Sequence, residues 1–191
     1  MMSMTDVVKN LLIINVIVFF AVWFLIPIPG IEHYFILYRP FTDGFEPVQI
    51  VTHMFSHANI QHLFFNMLGL YMFGSMVEAS LGPKRFLILY LFSGLAASAL
   101  QMFISPVPIL GASGAVFGVT TAFATMFPNT QLMLLFPPIP MKAKYMAILF
   151  IGIGLYSGFS GANDGIAHFA HVGGAVCGFL MIVYWKQNNL R

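Results

Sequence analysis

Apolar residues gather in six blocks along this chain, near 10–28, 61–79, 86–104, 112–127, 143–159 and 166–185. A helix needs roughly 20 apolar residues, range about 17–25, to cross a bilayer core. Most of the blocks fit; 112–127 is short. A short helix can begin inside a membrane protein when its non-helical lead-in lines a cavity. The stretch Ser105-Pro-Val-Pro-Ile-Leu-Gly111 reads as such a lead-in, because Pro and Gly resist continuous helix. The pattern predicts an all-α membrane protein, a bundle of six transmembrane helices with a short central fourth helix. The whole of 1–191 reads as a single membrane domain. The segment 29–60 is the longest stretch between spans. It mixes Pro, Gly and charge with aromatics, and is expected to lie at the outer interface. Phe136-Pro-Pro-Ile-Pro140 is expected to be a stiff connector on the cytoplasmic side.

Composition agrees with burial in lipid. The chain is 59% hydrophobic and 7% charged, where a soluble domain carries about 25% charged residues. A formal charge of +2 is too small to suggest nucleic-acid binding. Cys177, the one cysteine, cannot form an intrachain disulfide and reads as a small buried side chain. The first apolar block lacks a small-x-small cleavage site, so no cleavable signal is expected. Six spans with the N-terminus inside put Lys9, Lys84, Arg85, Lys142, Lys144, Lys186 and Arg191 in the cytoplasm. Arg39 alone falls outside, with Glu32, Asp43, Glu46 and Asp164. That asymmetry obeys the positive-inside rule. It predicts a multi-pass protein of the inner or plasma membrane with both termini cytoplasmic.

Polar residues inside apolar blocks are the candidates for chemistry. Ser113 stands in Gly111-Ala-Ser-Gly114 at the start of the short block, and His168-Phe-Ala-His171 lies in the last one. A serine and a histidine on different helices at membrane depth suggest a nucleophile and its base. Gly114 and Gly118 lie one turn apart beside the serine, and Gly174 and Gly178 beside the histidine. Such small-xxx-small faces let two backbones approach closely in lipid. His168 and His171 share a face, and His171 is nearer the expected close approach. His62 and Asn66 are i, i+4 neighbours on an otherwise apolar helix. They suit either donation to a developing oxyanion or a helix–helix hydrogen bond. His57 suits a water or substrate contact, or a structural hydrogen bond. Glu78, near Lys84 and Arg85, reads as a structural cap or anchor. His53 and His57 with His62 offer a metal-site alternative. Against it, the chain has no His-Glu-x-x-His and no carboxylate close by in sequence, so no metal or other cofactor is expected.

Taken in order on spans two, four and six, three motifs resemble the rhomboid intramembrane serine proteases. They are His62-Leu-Phe-Phe-Asn66, Gly111-Ala-Ser113-Gly114 and Ala167-His-Phe-Ala-His171-Val-Gly-Gly174. The resemblance implies an endopeptidase in which Ser113 is the nucleophile and His171 the base, with no aspartate. It implies an oxyanion hole made by the Ser113 N–H, His62 and Asn66. It further implies that 29–60 is a membrane-lying first loop and that span five is a mobile wall admitting substrate. Substrates would be transmembrane segments of other proteins, reached through the lipid bilayer; the sequence specifies no oligomeric state. The alternative is a catalytically inactive relative that binds membrane helices. Two positions depart from the family pattern. Val48-Gln49 stands where many members carry Trp-Arg, and Phe117 stands where some carry tyrosine.

Overall fold

The computed structural model describes residues 4–25, 28–134, 138–161 and 165–188. Asp164, Arg191 and the Phe136-Pro137 half of the expected connector lie outside the described residues. Helix α1 runs Asp6–Phe20 and is extended by a π turn over Ala21–Leu25. It begins four residues before the apolar block, and Glu78 supplies the reason. The first N–H groups of a helix have no intrahelical partner. Here Val7 N–H donates to Glu78 Oε1 at 3.1 Å and Val8 N–H to Oε2 at 2.9 Å. The Thr5 hydroxyl donates to the same Oε2 at 2.5 Å. A carboxylate at the positive end of a helix is also favoured by the helix dipole. Glu78 is therefore the structural cap that the sequence suggested, and the helix it caps is the first one.

A single 3-10 turn over Ile31–Phe35, the four-residue helix α2 (Gln49–Thr52) and a second 3-10 turn (His53–Phe55) follow. Helix α3 covers Ile60–Leu81, its start capped by Asn59 Oδ1, which accepts the His62 N–H at 2.8 Å. Gly82 at φ +80° then turns the chain, and Pro83 opens α4 (Pro83–Ile104). Only glycine adopts that φ freely, and proline suits a first helical position because it has no N–H to leave unpaired. Helices α5 (Ser113–Met126), α6 (Ala143–Phe159) and α7 (His168–Gln187) complete the helical set. Between α5 and α6 the chain carries a feature that the all-helical expectation lacked. Strand β1 (Gln131–Met133) pairs antiparallel with β2 (Pro140–Lys142), Leu132 facing Met141.

Each apolar block thus lies on one helix, with boundaries displaced by a few residues. Asp6–Phe24, Pro83–Ile104 and His168–Gln187 are each long and apolar enough to cross a membrane. Helices α5 and α6 are apolar but shorter. The outer surface is apolar: Phe24, Phe103, Tyr156 and Phe159 are all at least 70% exposed. Polar side chains sit inside, among them Gln49, His53, Asn66, Glu78, Ser98 and Gln101. A water-soluble protein distributes these classes the other way round.

Helix α5 packs against α3, α4 and α7, with ten of its fourteen residues buried. Its contact with α7 is glycine on glycine. A methyl group added at Gly174 would collide with the Gly114 carbonyl, and one at Gly178 with the Gly118 carbonyl. Association in lipid depends on close van der Waals fit and interhelical hydrogen bonds, because lipid tails are as apolar as the helices. The glycines permit that fit, and they bring the first turns of α5 and α7 together.

Candidate active site

Helix α4 ends at Ile104, and the Pro106 and Pro108 positions prevent its continuation. The chain returns as an extended stretch bridged to the 29–60 segment. Leu37 N–H donates to Ile109 O at 2.8 Å, and Ile109 N–H to Leu37 O at 3.0 Å. Gly111 takes φ +116°, and its N–H donates to His53 O at 2.8 Å. Two residues later α5 begins at Ser113. The short helix therefore starts where a fixed, non-helical lead-in releases it.

Ser113 and His171 meet across the α5–α7 contact. Ser113 Oγ lies 3.0 Å from His171 Nε2, within the range for hydroxyl-to-imidazole proton transfer. Both residues are half-buried. The His171 ring lies flat on Phe117, with centroids 4.2 Å apart and planes 5° from parallel. Phe117 is one turn beyond Ser113 on the same helix, so α5 presents the serine and also the surface that orients the histidine. His168, at the first position of α7, sits edge-on to His171 with centroids 6.4 Å apart. The same first turn of α7 is tied to α4, where the Ala170 N–H donates to Gln101 Oε1 at 3.2 Å.

His62 and Asn66 lie one turn apart on α3, and His62 faces the lead-in. A methyl group on Gly111 would stand 2.6 Å from His62 Cε1 and 2.8 Å from Nε2. The imidazole therefore packs directly on the backbone that precedes Ser113. Its Nδ1 accepts the Ala58 N–H at 3.5 Å, which leaves the neutral ring with its proton on Nε2. Asn66 is buried, and one of its amide hydrogens is used on His62 O at 2.9 Å.

A match to the Rhomboid domain family model covers residues 44–188, a stretch containing all four of these side chains. The chain belongs to the rhomboid family. It is 32% identical over 157 residues to Rhomboid protein 1, mitochondrial, of Saccharomyces cerevisiae, covering 78% of this chain and 44% of that protein. It is 34% identical over 131 residues to Rhomboid protease GluP of Bacillus subtilis, covering 69% and 24% respectively. The rhomboid-family protein YdcA of Bacillus subtilis is 28% identical over 182 residues, covering 90% and 86%. The matched stretch thus spans less than half the length of the first two relatives.

In this rhomboid the departure at Val48-Gln49 has a clear structural role. Gln49 is fully buried and uses all its hydrogen-bonding capacity on backbone. Its Nε2 donates to His33 O at 2.9 Å and Gly44 O at 3.0 Å. Its Oε1 accepts from Glu46 N at 3.1 Å and Tyr38 N at 3.3 Å. One neutral amide thus gathers four points of the 29–60 segment. His53, raised above as a metal ligand, is engaged elsewhere. Its Nδ1–H donates to Gln49 O at 2.6 Å, and its Nε2 lies 2.8 Å from Ser98 Oγ on α4. Among the described residues, no three His, Cys, Asp or Glu side chains converge as metal ligands. Burial pulls the His53 pKa down to about 4. His57 is fully buried, with its ring 5.1 Å from that of His62. Burial, and then the proximity of His62, lower its pKa to about 3. Sequence reasoning missed the roles of Gln49, Ser98 and Gln101. Each is polar at a buried position, and that was the available signal for Ser98 and Gln101, which interrupt an apolar block.

Proposed function

We propose that this rhomboid is an intramembrane serine endopeptidase acting on transmembrane segments of membrane proteins. The observation that carries the reading is the 3.0 Å approach of Ser113 Oγ to His171 Nε2. In this mechanism Ser113 Oγ attacks a substrate carbonyl while His171 takes its proton. The imidazolium then protonates the leaving amine, and water hydrolyses the acyl-enzyme by the same route in reverse. The Ser113 N–H, His62 Nε2–H and the second Asn66 amide hydrogen stabilise the oxyanion. The positive end of α5 favours the same charge. A helical substrate must unwind locally to expose its peptide bond, so Gly, Pro or other helix-weakening residues near the cut favour cleavage.

The membrane placement proposed with it treats 1–191 as one rhomboid unit with six spans. These are α1 with its extension, α3, α4, α5, α6 and α7, the shortest being α5. Both termini lie on the cytoplasmic side, and the 29–60 segment lies at the outer interface. The basic-residue asymmetry supports this orientation.

The test is labelling of the purified protein by a serine-directed fluorophosphonate, alongside cleavage of a transmembrane reporter in proteoliposomes. The expected result is one label, on Ser113, and reporter cleavage in the presence of chelator. A folded protein that neither labels nor cleaves would favour the helix-binding, inactive reading.

A further inference from the structure

On the far side of α5 from the lead-in, a groove of about 340 Å³ opens between α5, α6 and α7. Its volume lies in the lower part of the range, about 300–1,000 Å³, typical of small-molecule sites. Ala124, Ala147, Ile151, Val176 and Phe179 make its wall apolar. One end is different. There α5 finishes and α6 begins, and Thr125 and Lys144 line the groove. Lys186, near the end of α7, joins them by donating from Nζ to Thr125 O at 2.9 Å. That bond uses one of three ammonium hydrogens. Neither lysine has an acidic partner, since the only salt bridge among the described residues joins Lys9 and Asp6.

We propose that this groove holds one anionic phospholipid, its acyl chain along the apolar wall and its phosphate between Lys144 and Lys186. The shape asks for a molecule that is apolar along most of its length and negative at one end. A bilayer supplies such a molecule at this depth, and each lysine near an anionic headgroup is favourable. The bound chain would also complete the packing of α6. That helix buries only Ala143, Met146, Ala147 and Gly154 of its seventeen residues. The proposal uses the membrane placement above and does not depend on proteolysis.

Native mass spectrometry of the full chain in detergent tests it, with phosphatidylglycerol and phosphatidylcholine of matched acyl chains as probes. The wild-type protein is expected to retain one phosphatidylglycerol in preference to phosphatidylcholine. The K144Q/K186Q double variant is expected to lose that preference, by roughly fivefold for each lysine. K84Q/R85Q, which removes two basic residues that do not line the groove, is expected to bind as wild type does. Val176→Trp fills the groove from a position that is 45% exposed, and is expected to lower retention of both lipids. Equal retention of the two lipids by wild type would overturn the proposal. So would wild-type retention by K144Q/K186Q or Val176→Trp, or equal losses in the two charge variants. None of these readings involves Ser113, so failure here leaves the protease reading standing.

Discussion

Replacing Ser113 by alanine removes the hydroxyl that faces His171 at 3.0 Å and leaves the helix start intact. The expected outcome is loss of reporter cleavage, on the order of 10⁴-fold or more, in a protein that still folds. His171→Ala should cost about as much, because paired catalytic groups act as a unit. His168→Ala should keep measurable activity. Near wild-type cleavage by Ser113→Ala, or the reverse ranking of the histidines, would sink this assignment. His62→Ala and Asn66→Ala should each lower kcat by about 10²–10³-fold with less effect on substrate binding. A lowered Tm with unchanged kcat for the folded fraction would return both residues to a purely structural role. The four side chains stood out in the sequence because a polar group in an apolar block is costly without a purpose. Gln49 did not stand out, because it lies in a segment already rich in polar residues. Its four backbone partners come from positions 33–46, scattered through irregular chain that no periodicity describes.

At the scale of elements, glycine decides how close α5 and α7 come. Gly178→Ala places a methyl group against the Gly118 backbone, which a side-chain rotation cannot relieve. The helices must move apart, and overpacking of this kind typically costs about 1–3 kcal/mol. The variant is expected to show a lower Tm and weaker fluorophosphonate labelling, because the same crossing sets the Ser113–His171 distance. Gly152→Ala is the control: open space surrounds that position, so its Tm should be unchanged or slightly higher. Identical behaviour of the two variants would show that the crossing does not govern the site. Helix positions were legible from the apolar blocks, since lipid exposure demands long uninterrupted runs. The ribbon of β1 and β2 was not, because its strands are three residues each and one of them begins at Pro140. The early start of α1 was not either, since its cap is Glu78, some seventy residues further along the chain.

For the molecule as a whole, two buried histidines outside the spans make stability depend on pH. The pKa of His53 falls to about 4 and that of His57 to about 3 on folding, from an ordinary value of about 6.5. The unfolded chain therefore binds more protons than the folded one in mildly acidic solution. This contribution is fully present above about pH 6.5 and is lost as pH falls toward 4 and then 3. At pH 5 each histidine is expected to cost about 2 kcal/mol. Thermal unfolding in detergent at pH 7.5, 6 and 5 should give a falling Tm. A Tm constant over that range would show that neither histidine is buried as a neutral group.

The capping of α1 by Glu78 has a consequence for how the protein is made. Residues 5–8 leave the ribosome long before residue 78 does. During that interval the Val7 and Val8 N–H groups at the amino end of the first helix lack the Glu78 carboxylate and are left to water. The helix is already apolar enough to enter the bilayer, but its end is unfinished until the third helix arrives. A nascent chain stalled before residue 78 should therefore show rapid amide exchange at residues 7 and 8, and one stalled well beyond it should show protection. Completion of the first helix would then report that synthesis has passed the third.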